Sequence, residues 1–280
     1  MKPSTTIDEK WLVVDGVRIR YIRKGKANAS PLVLLHGLGG SLEMWQSNMD
    51  FFAKDYDVIA IDFPGFGYSD KPAVRYSIHF QVLKLKRLLD QLNLDNIYLA
   101  GHSMGGAIAI HFAHLFAARV RKLILVCNAG MGKQIHASLR LSAMPFSNIF
   151  IGQASRIEKM LKNCVYDENV ITPELILLYQ DISVQHNAVY SFLSQLKSCV
   201  TMLGQEKSFL VSTQEKLPQL IMPTLIIWGN NDRILPSSHA KVAQNNIQNS
   251  VCIILDDCGH LPQLEKRDQF NMYVYSFLHE

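Results

Sequence analysis

The chain has no apolar run long enough to cross a bilayer. Its longest, such as Leu123 to Cys127, last only a few residues, against the roughly 18 or more that a spanning helix requires. The amino terminus offers no export signal either, because MKPSTTIDEK places Asp8 and Glu9 where an apolar block would have to lie. An excess of one charge is also missing: 28 Lys and Arg offset 24 Asp and Glu, for a net charge of +4. That is too mild for a protein that tracks a phosphate backbone. The densest basic stretch, RIRYIRKGK at 18–26, alternates charge with Ile19, Tyr21 and Ile22, as a strand with one wet face does. KLKR at 84–87 falls on an amphipathic helix and reads likewise as solvated. No nucleic-acid partner is expected.

Cysteine is sparse and carries no pairing pattern. Cys127, Cys164, Cys199, Cys252 and Cys258 are odd in number, with no C-x-x-C and no zinc-type spacing. They read as buried free thiols in a reducing, cytoplasmic compartment. Cys252 and Cys258 are near enough in sequence to bridge, but nothing in their spacing asks for it. Repeats and low-complexity segments are absent as well. With 48% hydrophobic and 19% charged residues, a disordered or fibrous chain is excluded. Its 280 residues allow one large domain, or a domain with an insertion.

What is present is an alternation of short β-branched runs with longer helical patterns, the mark of an α/β sheet. Lys10–Val14 and Val17–Arg23 flank Asp15-Gly16, a hairpin signal, since a type I′ turn needs positive φ at both central positions. PLVLLHG (31–37), DVIAID (57–62), NIYLAGHS (96–103), KLILVCN (122–128), PTLIIWG (223–229) and SVCIILD (250–256) read as parallel strands covered on both faces. Val82, Leu85, Leu89 and Leu92 mark one helix with Lys84, Lys86 and Arg87 largely off its apolar face; Phe270, Val274, Phe277 and Leu278 mark a closing helix. Met104–Phe116, apolar or glycine all round except His111 and His114, should be a central buried helix.

From about residue 130 to 216 the rhythm stops while Leu, Ile, Met and Phe persist. A structureless loop of that length does not fit a compact domain, so an inserted helical subdomain is expected. Thr172-Pro173 fits a helix start, and Asn187–Thr201 carries an apolar stripe of Val189, Phe192, Leu193, Leu196 and Val200. The core is then residues 1–129 and 217–280, with 130–216 as a helical cap.

The sharpest chemical signal is Gly101-His102-Ser103-Met104-Gly105, a G-x-S-x-G between a strand and a buried helix. A nucleophile at the apex of that turn needs small residues two positions to either side; the bland alternative is a serine that merely caps the helix. A serine hydroxyl also needs a base and an orienting carboxylate. Asp232 follows PTLIIWG, and His260 follows SVCIILD, each just past the carboxyl end of a strand, where open α/β sheets gather their sites. The rivals fit less well. His36 and His102 sit in Gly-containing turns and read as structural. His111 and His114 lack the Glu of H-E-x-x-H, and His79, His136, His186, His239 and His279 fall in surface-like or cap segments. Asp256 and Asp257 are too close in sequence to His260, and Asp62 belongs to the other half of the sheet. The Gly-rich turn His36-Gly37-Leu38-Gly39-Gly40 can set the Leu38 N–H beside that of Met104 as an oxyanion hole. It matches neither phosphate-loop pattern.

With the Asp15-Gly16 hairpin, HGLGG at 36–40, DFPGFGYSDKP at 62–72, GHSMGG at 101–106, WGNNDRILP at 228–236 and GHLPQLE at 259–265, the chain resembles the α/β-hydrolase superfamily over nearly its whole length. The resemblance implies a mostly parallel eight-stranded sheet with helices on both faces, and a helical cap inserted after the sixth strand. It also implies a Ser103 nucleophile, a His260 base and an Asp232 orienter. Serine at 103 counts against the aspartate-nucleophile epoxide hydrolases and dehalogenases of this fold. The meta-cleavage-product C–C hydrolases are similar around PGFGYSD but typically carry tryptophan after the catalytic histidine, where Leu261 stands here. A small-molecule carboxylic ester, cleaved without cofactor or metal, is the expected substrate, and C–C hydrolysis of ring-fission products is the alternative. A non-catalytic ligand-binding protein on the same fold is the reading from another class, although it has no need for the Ser-Asp-His order. Met144, Phe146, Ile149, Phe150 and Ile151 would line an acyl pocket or form the core of the cap. Exposed apolar cap surface could touch lipid, without stable membrane insertion. The oligomeric state is not legible.

Overall fold

The computed structural model describes residues 8–26, 28–144 and 154–280. Strands β1 (Glu9–Val14) and β2 (Val17–Gly25) open it, joined by Asp15-Gly16 at φ of 47° and 77°, the double positive φ of a type I′ turn. Then come β3 (Pro31–Leu35), α1 (Gln46–Phe52), β4 (Asp57–Ile61), α2 (Ile78–Gln91), β5 (Ile97–His102), α3 (Met104–Leu115) and β6 (Val120–Val126). The next stretch holds α4 (Ala137–Ser142), α5 (Ala154–Asn163), α6 (Pro173–Ser183), α7 (Ala188–Lys197), a small hairpin of β7 (Val200–Thr201) and β8 (Gly204–Gln205), and α8 (Lys207–Gln214). The last elements are β9 (Thr224–Gly229), α9 (Ser238–Asn246), β10 (Ser250–Leu255), α10 (Pro262–Glu265) and α11 (Arg267–His279).

Eight strands form one sheet in the order β1-β2-β4-β3-β5-β6-β9-β10. β2 runs antiparallel to both β1 and β4, and the remaining pairs are parallel. The chain leaves β3 toward one side and returns to β5 on the other, so the carboxyl ends of these strands open onto a crevice. Alternate residues serve opposite faces: Val33 and Leu35 pack with Val82, Leu85 and Ile108 of α2 and α3, while Leu32 and Leu34 pack with Met49 of α1 and Phe270 of α11. Helix α3 is buried from Met104 to Ala113 except at His111, as its unbroken apolar sequence anticipates. No described helix is long and apolar enough to cross a membrane.

Four expectations change. Arg20, read as part of a wet strand face, is only 1% exposed because the 3-10 turn Leu42–Trp45 lies over it. Its guanidinium donates to Asp62 (3.0 Å), Glu43 (2.6 Å) and Glu9 (3.0 Å); stranding such buried charge by removing a partner costs about 3–5 kcal/mol. Lys84 is buried too, donating to the Val14 carbonyl and to Asp15 of the hairpin. Strand β10, expected to be covered on both faces, is the sheet edge and leaves Val251 and Ile254 exposed. The stripe over Asn187–Thr201 is helix only to Lys197, because Val200 and Thr201 pair with β8. The cysteines are free thiols, Cys252 and Cys258 included.

Candidate active site

Three loops at the carboxyl end of the sheet converge. The first is the turn between β5 and α3, where Ser103 adopts φ 53° and ψ −116°. That conformation is strained for a residue with a Cβ, and hydrogen bonds from both sides hold it: Ser103 N–H donates to Val126 O (2.9 Å), and Ser103 O accepts from Ala129 N (3.0 Å). The side chain makes no capping bond to α3, so Ser103 is not there as a helix cap. The small neighbours are a steric requirement. A Cβ on Gly105 would stand 2.5 Å from His36 O, and one on Gly37 would stand 3.0 Å from Ser103 Cβ. The second distance shows how closely the 36–40 turn approaches the serine.

The second and third loops are knitted together. Asn230 N donates to Leu255 O (2.8 Å) and Asn231 N to Cys258 O (2.9 Å). Beyond them Asp232, its side chain fully enclosed, holds His260: Nδ1–H donates to Asp232 Oδ2 at 2.7 Å. The other carboxylate oxygen accepts from Ile234 N (2.8 Å) and Leu235 N (2.9 Å), so the carboxylate cannot turn. With Nδ1 committed, Nε2 of His260 is the nitrogen left for the crevice. No hydrogen bond joins it to Ser103 Oγ in this structure; such bonds often tighten only with substrate in place.

The 36–42 turn is tied down along its length. His36 Nδ1–H donates to Gly37 O (2.7 Å), and its Nε2 accepts from Phe63 N (3.0 Å). Gly40 N donates to Gly37 O (3.1 Å), and Leu42 N donates to Asp62 Oδ1 (2.8 Å). Asp62 therefore supports the turn and plays no part in orienting His260. Among the described residues no protein acceptor takes the N–H of Leu38 or of Met104, and Leu38 packs against the cluster that contains Met104.

Sequence reasoning missed three residues around these loops, Glu265, Cys127 and Tyr179, and read a fourth, His102, as structural, which it is. His102 Nε2–H donates to the His260 carbonyl (2.7 Å), with the two rings 4.8 Å apart. Glu265 accepts from Gly259 N (2.8 Å) and Tyr166 N (2.6 Å), tying the histidine loop to the segment after α5. Cys127, at the end of β6 with φ 44°, lies with its Sγ within 4.8 Å of ligating atoms of Asp232 and His260. Burial first, then the Asp232 charge, pushes this thiol well up, so it stays protonated beside the carboxylate. Tyr179 of α6 meets the 36–42 turn at Ser41. Only Cys127 left a signal: it ends a strand at the same edge as Ser103 and Asp232.

The buried histidines make stability acid-sensitive. Burial brings His36 down to about 4 and His111 down to about 3, and puts His102 well below its usual 6.5. The unfolded chain protonates these groups first as the pH falls. The stability they support is full above pH 6.5 and drains away toward pH 4, with His36 alone worth about 3 kcal/mol. Urea midpoints should therefore fall steeply between about pH 7 and about pH 4.5; a flat profile would contradict the buried neutral imidazoles.

A strained serine between strand and helix, a carboxylate-held histidine and a glycine-rich turn over the helix N-terminus define an α/β hydrolase. The family profile for the alpha/beta hydrolase fold matches residues 30–267, and the chain belongs to this family. It is 28% identical over 284 residues to the dihydrolipoyllysine-residue acetyltransferase component of the acetoin cleaving system of Pseudomonas putida, covering 95% of this chain and 68% of that protein. It is 31% identical over 283 residues to a 2-hydroxy-6-oxononadienedioate/2-hydroxy-6-oxononatrienedioate hydrolase of Burkholderia vietnamiensis, covering 95% and 93%. Among solved structures, a membrane phospholipase A described as a bacterial virulence factor superposes with a TM-score of 0.82 at 26% identity, covering 97% of this chain and 85% of that one.

Proposed function

We propose that this chain is a serine hydrolase that cleaves carboxylic esters through a covalent acyl-enzyme. The observation that carries the reading is the His260–Asp232 pair at 2.7 Å, set in loops that converge on the Ser103 elbow. His260 Nε2 takes the Ser103 proton as Oγ attacks the acyl carbon, then delivers it to the leaving alcohol, and finally draws a proton from the water that releases the acid. Asp232 holds the tautomer and balances the transient imidazolium. The N–H groups of Leu38 and Met104 receive the carbonyl oxygen as it gains charge, a contribution of about 3–4 kcal/mol per donor.

Residues 130–216 act as the cap that selects the acyl group. A cavity of about 750 Å³ lies between Gly39, the 65–67 loop and helices α4 to α7, with Leu139, Met144, Ile157 and Phe192 in its wall. Of the proposed pocket residues, Met144 lines this cavity; Phe146, Ile149, Phe150 and Ile151 lie outside the described residues. Leu261 stands where the C–C hydrolases typically carry tryptophan and packs with Ile157, Tyr179 and Ile182, and a leucine at that position favours the ester reading over C–C hydrolysis.

A panel of p-nitrophenyl esters from acetyl to long-chain, in soluble and emulsified form, with a ring-fission product and a thioester alongside, tests the assignment. Ester turnover exceeding ring-fission turnover by at least ten-fold in kcat/KM is expected, with medium chains favoured by the cavity. The reverse preference would make the chain a C–C hydrolase. Failure of a fluorophosphonate to label Ser103 would make it a binding protein.

A further inference from the structure

We propose that Tyr179 is a positioning residue for the oxyanion turn, a latch through which the cap sets the donor that receives the tetrahedral oxygen. The proposal rests on the ester-hydrolase reading and names a control of that same site. Tyr179 belongs to α6, in the segment between β6 and β9, and is 4% exposed. Its hydroxyl oxygen accepts the Ser41 N–H at 3.1 Å and shares a second hydrogen bond with Ser41 Oγ at 3.1 Å. Ser41 is fully buried and lies three residues beyond Leu38, the proposed donor.

The other ties of the turn come from the core: His36 and Gly40 bond to Gly37 O, and Leu42 N–H bonds to Asp62. Tyr179 supplies the tie from the cap. Tyr179 also lines the 750 Å³ cavity together with Ile182, so the same residue borders the proposed acyl site and ties the turn. Without the hydroxyl, Ser41 N–H is a buried donor with no partner. Burying it unpaired is unfavourable, and the turn relieves this by shifting, which carries the Leu38 N–H with it. An oxyanion donor contributes only when charge develops on the substrate oxygen, so its displacement lowers the rate of the chemical step and leaves ground-state binding alone.

Tyr179→Phe keeps the ring and its packing and removes only the hydroxyl. On a p-nitrophenyl ester it should lower kcat about ten-fold with KM changed less than about two-fold. Fluorophosphonate labelling of Ser103, which also builds negative oxygen in that hole, should slow by the same factor. The Ser41 amide, protected from hydrogen exchange in the parent, should exchange faster in the variant. Unchanged kcat and labelling, a rise in KM alone, or a Ser41 amide unprotected in the parent would each overturn the latch. So would lost activity with Ser41 protection intact. Hydrogen exchange needs no turnover: an inert parent whose Ser41 amide depends on Tyr179 would defeat the hydrolase reading, and with it the catalytic role of the latch, while showing that the Tyr179–Ser41 tie itself holds the turn.

Discussion

Ser103→Ala should lower ester turnover about 10⁶-fold, as loss of the nucleophile does in serine hydrolases generally, and abolish fluorophosphonate labelling. Its melting curve should overlay that of the parent. The side chain makes no capping bond to α3, and alanine meets the same strained φ of 53° that serine already tolerates, so the elbow keeps its shape. What disappears is the atom that becomes acylated. Measured side by side, steady-state rates on a short p-nitrophenyl ester and thermal unfolding separate chemistry from folding. A variant as fast as the parent would remove Ser103 from the reaction.

The second large effect is expected from Asp232→Asn. Two backbone N–H groups, of Ile234 and Leu235, pin Oδ1 at 2.8 and 2.9 Å, so the amide oxygen of asparagine must take that place. The NH2 group is then left facing His260 Nδ1, where a carboxylate oxygen now sits at 2.7 Å. Nδ1 has to accept instead of donate, the proton moves to Nε2, and the nitrogen that should take the serine proton already carries one. A fall in kcat of about 10⁴-fold is expected, with the fold intact. A rate within ten-fold of the parent would mean that another carboxylate orients the histidine. Asp256 and Asp257 are the rivals nearest in sequence, but both are exposed, and the contact Asp256 makes is with Asn230.

The six parallel strands and the opening hairpin were legible because the patterns behind them are local: β-branched runs between breakers, and Asp15-Gly16 at the turn. Ser103, Asp232 and His260 were legible because each follows a strand end and the chain order of the three matches a known arrangement. Arg20 was not. Its alternation with Ile19 and Tyr21 describes the strand correctly, but nothing nearby in sequence says that Glu43 and Asp62 will close over the outer face. Lys84 misled in the same way, since its partner is the hairpin backbone at Val14, seventy residues earlier. Cys127, Glu265 and Tyr179 escaped notice because a buried thiol, an acid on a short helix and a tyrosine in an apolar stripe look like ordinary core or surface until their neighbours are known.

By itself, then, the sequence determined the sheet, the order of its strands in the chain and the residues at their carboxyl ends, because backbone preference and hydrophobic period act over a few residues. Tertiary structure alone decided which nitrogen of His260 is free, what pins Asp232, and how a helix between β6 and β9 reaches the turn beside Ser103. These depend on hydrogen bonds between residues as far apart as Ser41 and Tyr179, and such bonds leave no periodic trace along the chain.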